Sequence, residues 1–335
     1  MSEAAAKKFA DEFVLSSQEF SDQHSKSKVI SFGTQSVLLA VNPSTPVGSL
    51  IDGAFLPSKD REPNFTLQIW DSSRGNPLPD LGWARSYLQQ DIAIPAQITG
   101  QFRIAFDKSQ GFIYVYDTQT QFGSVWIRDH ALVALSSFIT PFRLILSWMA
   151  DHFDGEIVHA SAIGINGKGI LINGPSGSGK STLALQAALK GQAVLADDVT
   201  LHQKGRIYAV YSRGKAQASS TPLSLAGLST FNIADTTSGK TVIPLINFGE
   251  FFISSLELKV ILLPIFAHLN HFEKLQPKVA LKLMAPNSLR EIFGGTTQNF
   301  MRLAQLTRTV PAYRLALSED LEKNFRDLLR IAEEN

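Results

Sequence analysis

Eight consecutive residues carry the strongest chemical signal in this chain: Gly174-Pro175-Ser176-Gly177-Ser178-Gly179-Lys180-Ser181, with Thr182 next. They satisfy G-x-x-x-x-G-K-[ST] in full, and each residue type has a physical task. Glycines let the backbone curl until successive amides converge on phosphate oxygens, beside a helix N-terminus that already favours anions. Lys180 would set its ammonium between the β- and γ-phosphates of a nucleotide, and the Ser181 hydroxyl would take a Mg²⁺ position. A second stretch, Ser238-Gly239-Lys240-Thr241, imitates the end of the motif. It holds Ala234 where the first glycine should fall and no apolar strand leads in, so it reads as a polar turn.

Lys180 and Asp197 are separated by one helix and one short strand, AVLA, which ends in Asp197-Asp198. A strand lying parallel beside the loop's own strand, after a right-handed crossover, delivers its C-terminal end to the phosphate edge. Both carboxylates would then point at the γ-phosphate and its metal, rather than simply capping a turn. His159 enters by register. With Asn166-Gly167 as a two-residue hairpin loop, Ile165 faces Lys168, Ser161 faces Ile172 and His159 faces Gly174. A histidine there can hydrogen-bond an aspartate or a phosphate oxygen. His24, His130, His152, His202, His268 and His271 show no metal-ligand spacing such as H-E-x-x-H. Arg213 and Lys215, in YSRGKAQ, could meet a phosphorylated acceptor, although a solvated turn is the plainer reading.

The elements that must position these groups are mixed α/β. Glu156–Ile163 and Gly169–Asn173 read as strands, Ser178–Leu189 as a helix stopped by Gly191, and LKVILLPIF as a buried strand. Helices are expected near Ser288–Phe293, Thr297–Thr307 and Glu319–Glu333, with PAYRLAL as a strand between the last two. Before residue 130 the chain is β-rich. KVISF, SVLLAV, TLQIW, FRIAF, FIYVYD and SVWIRD alternate with polar, Gly- or Pro-containing segments, the pattern of an antiparallel sheet. Ala131–Ala150 is long enough to span a membrane. It carries Pro141 and Arg143, and a central Arg costs about 2.5–3.5 kcal/mol on insertion, so a buried helix bent near Pro141 is expected.

Composition excludes several classes. With 335 residues and 44% apolar content the chain can bury cores for two domains, drawn here at 1–130 and 131–335. The net charge is +1, from 31 Lys and Arg against 30 Asp and Glu spread along the chain. That balance argues against a nucleic-acid or anionic-membrane partner. There is no cysteine, which removes disulfides, thiol nucleophiles and Cys-ligated metals. The charged start, MSEAAAKKFADEF, makes a poor signal peptide, and a cytoplasmic location is expected.

The stretch Val158–Leu201, VHASAIGINGKGILINGPSGSGKSTLALQAALKGQAVLADDVTL, resembles the catalytic core of HPr kinase/phosphorylase. It has the histidine opening a hairpin, the phosphate loop, a short helix, a Lys-Gly pair and a strand closing in Ala-Asp-Asp. The resemblance implies a P-loop kinase domain of HPr kinase type, using ATP and Mg²⁺. It makes Asp197 the catalytic acid/base, His159 its support, Gly174–Thr182 the nucleotide cradle, and Asp198 a metal-side group with Ser181. The family's C-terminal signature and downstream glutamate ligand have no counterpart. The whole layout is instead similar to HPr-kinase-like proteins encoded beside lasso-peptide biosynthesis genes, through WDSSRGNPLP, PFRLILSW and PAYRLAL. That similarity implies transfer of a γ-phosphoryl group to a serine of a peptide or small protein, with the β-rich half recognising it. Two alternatives stand: a small-molecule alcohol kinase or phosphoenolpyruvate carboxykinase-like enzyme, and a non-catalytic nucleotide-binding peptide chaperone. A homo-oligomer is compatible with all three.

Overall fold

A computed structural model describes residues 3–41, 46–60, 62–71, 78–84, 92–93, 100–128, 133, 135–217, 231–235, 240–266, 271–291 and 296–335. The chain divides into two compact units, Met1–Met149 and Ala150–Asn335.

The first unit is not wholly β, because it opens with a helix, α1 (Glu3–His24). Its strands are β1 (Lys26–Phe32), β2 (Gln35–Val41), β3 (Phe65–Asp71), β4 (Ile92–Ala93), β5 (Phe102–Asp107), β6 (Phe112–Asp117) and β7 (Phe122–Ile127), with α2 (Pro46–Ile51) between β2 and β3. They form one sheet in the order β1-β2-β3-β7-β6-β5-β4. It is mixed rather than antiparallel as expected, because β3 lies parallel to both β2 and β7. Ala6, Phe9, Ala10, Phe13 and Phe20 recur at helical spacing and are buried. They pack with Trp70, Phe102, Ile104 and Phe106, and the Phe13 ring meets Trp70 edge-on at 5.1 Å.

The apolar stretch behaves as expected in part. A short 3₁₀ turn, Leu135–Phe138, precedes α3 (Arg143–Ala150), and the break falls at Phe142, whose φ is 61°. No described helix is long and apolar enough to cross a membrane. A Cβ on Gly123 of β7 would collide with Met149 and Ile145, which shows how closely α3 lies on that strand. The division at Met149 and Ala150 leaves all but the last residue of α3 in the first unit, whereas the 130/131 boundary puts the helix at the head of the second.

The second unit carries the glycine loop. Its strands are β8 (Gly155–Val158), β9 (Ala160–Ile165), β10 (Lys168–Asn173), β11 (Ala193–Ala196), β12 (Thr200–Gln203) and β13 (Arg206–Ala209). They continue as β14 (Arg213–Gln217), β15 (Phe231–Asp235), β16 (Lys240–Pro244), β17 (Ser255–Phe266), β18 (Phe272–Leu275) and β19 (Ala312–Leu317). The helices are α4 (Lys180–Leu189), α5 (Pro277–Glu291), α6 (Thr297–Thr309) and α7 (Leu321–Glu333). The main sheet runs β11-β9-β10-β17-β13-β12-β8, and β19 pairs with β17 and β18. A separate small sheet has the order β14-β16-β15. Leu183, Ala184 and Ala187 of α4, with Leu328 and Ile331 of α7, cover Ile163, Ile170, Ile172, Val260 and Leu262. Burying each such aliphatic side chain stabilises the unit by about 1.5–3 kcal/mol, and this core holds the loop's strand rigid.

Three elements differ from the sequence reading. Glu156–Ile163 is two strands, because the chain bends at His159 and β8 crosses to pair with β12. The AVLA strand is not the immediate neighbour of the loop's strand, because hairpin partner β9 already occupies that edge of β10. The helix expected from Ser288 starts at Pro277 and runs to Glu291. Residues 72–77 of WDSSRGNPLP, Ser238 and Gly239 of the look-alike motif, and the end of that helix at Phe293 lie outside the described residues.

Candidate functional site

The site begins with the hairpin. Asn166 and Gly167 have φ of 51° and 76°, the left-handed pair that a two-residue turn requires. Lys168 pairs with Ile165, Ile172 with Ser161, and Asn173 with Ala160, so His159 falls one step beyond, level with Gly174. The loop then leaves β10. Gly174, Gly177 and Gly179 adopt φ of 155°, 81° and 93°. A Cβ on Gly174 would stand 2.8 Å from Ser178 Oγ, and one on Gly179 would stand 2.4 Å from Leu317 Cδ1. The positive φ at both positions is strained for a residue with a Cβ and favours glycine. Lys180 is buried, and its Nζ donates to the carbonyls of Gly174 at 2.7 Å and Pro175 at 3.0 Å. Its charge therefore sits inside the curl, at the positive end of α4.

Asp197 lies against this loop. Its Oδ1 accepts from Ser181 Oγ at 2.8 Å and from Ser161 Oγ at 2.6 Å, and its Oδ2 accepts from the Lys215 backbone N–H at 2.8 Å. β11 is antiparallel to β9, which is antiparallel to β10, so β11 and β10 end at the same sheet edge. Ser161 on the intervening β9 spans the extra strand. Asp198 takes a left-handed φ of 76°, so the two carboxylates do not follow strand alternation. Asp198 Oδ2 accepts from Lys215 Nζ at 2.9 Å, and its Oδ1 stands 3.5 Å from His159 Nδ1. Asn173 Nδ2 holds the His159 carbonyl at 2.8 Å.

These contacts differ from the assignment carried by the resemblance, which pairs Asp198 with Ser181 on the metal side. Asp197 is the carboxylate against Ser181. Asp198 faces Lys215 and His159, because the left-handed turn at residue 198 swings it away from the strand. Ser181 Oγ and the Asp197 carboxylate supply hard oxygen donors at the glycine loop, which is the donor chemistry Mg²⁺ takes. No cluster of three or more His, Asp or Glu residues with metal-holding geometry occurs among the described residues.

Sequence reading undervalued two neighbours. Arg213 and Lys215 are not a solvated turn. Arg213 is buried on β14, and Lys215 touches both aspartates. Between them, Gly214 lets the backbone approach closely, since a Cβ there would stand 3.1 Å from Asp197 Cβ. The signal was present in R-G-K, two cations at strand spacing around a glycine. Ser161 was named only as a register marker, and nothing local distinguishes it from any other serine in a strand.

Outside the loop, Glu156 on β8 is buried, and burial pushes its carboxyl up to about 8 against the pull of Asn299 and Arg302. Asn299 Nδ2 donates to its Oε2 at 3.1 Å, and the Arg302 guanidinium lies 3.9 Å away. Its cross-strand partner His202 is held down to about 4 by burial. This cluster ties α6 to β8.

No protein-family model matches the chain, and no curated protein does. Among solved structures, the Hpr(Ser) kinase/phosphatase from Coxiella burnetii is similar at 13% identity, with a TM-score of 0.28. The similarity covers 53% of this chain and 90% of that one. A likeness that distant assigns neither an activity nor a substrate.

Proposed function

We propose that the second unit is an ATP-dependent phosphotransferase that moves a γ-phosphoryl group to a hydroxyl. One observation carries the proposal. The glycine loop, with Lys180 folded into it, meets the strand-end carboxylate Asp197 through the Ser181 hydroxyl. Such an arrangement suits a reaction in which catalysis is mostly positioning and charge neutralisation. Lys180 and the loop amides would hold the phosphates. Ser181 and Asp197 would hold Mg²⁺, which when bound offsets the charge of the phosphate oxygens.

Asp198 is then left to take the acceptor's proton at its carboxylate, with His159 beside it and Lys215 fixing its orientation. This reverses the roles that the resemblance gives to the two aspartates. The acceptor we assign is a serine of a peptide or small protein, of the lasso-precursor kind, and the first unit is its recognition element. Only the resemblance in sequence supports that finer assignment.

The test is incubation with ATP, Mg²⁺ and serine-containing peptides encoded beside the gene, followed by mass spectrometry. A peptide gaining one phosphoryl group with the native protein and none with Lys180→Ala supports the proposal. Equal phosphorylation by Lys180→Ala, or ADP released with every peptide unmodified, sinks it.

A further inference from the structure

We infer that the exposed ring of Phe266 is the stacking platform for the nucleobase, an inference that rests on the phosphate-binding reading and extends it to the ligand's other end. The topology comes first. On one side of β10 lies β9, then β11, and these bring Ser161, His159 and Asp197 to the loop. The terminal phosphate and its metal face that side, where Ser181 meets Asp197. On the other side lies β17, which runs parallel to β10 from Leu258 to Leu262. Its C-terminal end therefore emerges at the phosphate edge. A nucleotide with its γ-end toward Asp197 projects its base away from β9 and β11, toward β17.

What β17 presents there is unusual for a core strand. Val260, Ile261, Leu262 and Leu263 are fully or almost fully buried, yet Ile265 is 40% exposed and Phe266 is 66% exposed. The neighbouring Leu317 on β19, paired with Phe266, is buried. Phe266 nevertheless reaches the loop, because its Cζ lies 3.8 Å from where a Cβ on Gly179 would be. The ring's tip approaches the loop while most of the side chain stays exposed. A phenyl group kept exposed beside the N-terminus of α4 offers a flat apolar surface within one nucleoside of the phosphates. Every base has a π-face, so stacking of this kind accepts any nucleobase.

The experiment separates base from phosphate. Affinities for Mg²⁺-ATP and for Mg²⁺-tripolyphosphate are measured by calorimetry on the full-length native protein, Phe266→Ala and Phe266→Trp. Loss of one base–aromatic stack predicts ATP binding about 5- to 150-fold weaker in Phe266→Ala, with tripolyphosphate affinity within about 2-fold of native. Phe266→Trp should bind ATP within about 3-fold of native, with indole fluorescence quenched by ATP and not by tripolyphosphate. Because the side chain is mostly exposed, neither variant removes core packing. Unchanged ATP affinity in Phe266→Ala overturns the inference while leaving the phosphate loop intact. So does an equal loss for both ligands, or a change of oligomeric state with ATP affinity kept, which would make this face a contact between copies. Native protein that binds neither ligand overturns the phosphate-binding reading as well.

Discussion

Ser161 and Ser181 donate to one oxygen, Oδ1 of Asp197, and that shared acceptor makes a quantitative prediction. A hydrogen bond to a charged group contributes about 1.5–3 kcal/mol, and an orphaned buried acceptor costs a further penalty of about 1–3 kcal/mol. Ser161→Ala leaves Oδ1 with Ser181, and Ser181→Ala leaves it with Ser161. Each single change should therefore cost about 2 kcal/mol, at the low end of the charged range. The double variant strips Oδ1 of both donors while Asp197 stays buried. It should exceed the sum of the singles by about 1 kcal/mol or more, because the orphaning penalty falls only on the second removal. Tryptophan fluorescence is the wrong assay, since Trp70, Trp83, Trp126 and Trp148 all belong to the first unit. Amide hydrogen exchange over β9 and β10 reports the second unit directly. Additivity within about 0.5 kcal/mol would refute the shared-acceptor reasoning, as would singles costing less than about 0.5 kcal/mol.

Further predictions address roles and pH. Asp197→Asn should raise the Mg²⁺ concentration needed for half-maximal phosphotransfer, whereas Asp198→Asn should lower the rate at saturating Mg²⁺. The opposite pattern in a Mg²⁺ titration restores the roles implied by the resemblance. His159→Ala should slow turnover by about 10- to 1,000-fold without changing ATP affinity, and unchanged turnover in a steady-state assay makes it structural. Glu156 stays protonated in the fold up to about pH 8, while the unfolded chain releases that proton near 4.5. Its contribution to stability is thus full below pH 4.5 and lost as pH rises toward 8. Glu156→Gln should therefore be on the order of 3–5 kcal/mol more stable than native above pH 8 and level with it near pH 4, by denaturant titration at each pH. His202 acts in the opposite direction. Its folded value of about 4 against 6.5 means stability is lost as pH falls from 6.5 to 4, and His202→Gln should flatten that acid limb of the same titration.

The glycine loop and the strand leading into it are written locally in the chain. A full motif between an apolar strand and a helix needs no distant partner to form, because Gly conformations, the Asn-Gly turn and the helix start are all local. Hairpin register followed from the same economy, since a two-residue turn leaves one pairing for every step back to Asn173 and Ala160. The six strands read in the first unit were legible for a related reason, alternating or continuous apolar runs bounded by turn residues. Helix α1 is equally written in Ala6, Phe9, Ala10, Phe13 and Phe20, an apolar stripe at helical spacing with Lys7, Lys8, Asp11, Glu12 and Glu19 between its positions.

Strand order was decided only in three dimensions. Which edge of β10 is free, and so whether β11 can lie beside it, depends on β9 taking that edge first. Parallel pairing of β3 with β2 and β7 is likewise a contest among distant segments, with no local signature to read. The division of labour between Asp197 and Asp198 turns on a single left-handed residue at 198, which sets side-chain direction against the strand rule. Lys215 arrives from β14 in a separate sheet, seventeen residues past Asp198, and no spacing rule joins them. Local sequence made the glycine loop. Long-range pairing chose which serine, which aspartate and which lysine would stand around it.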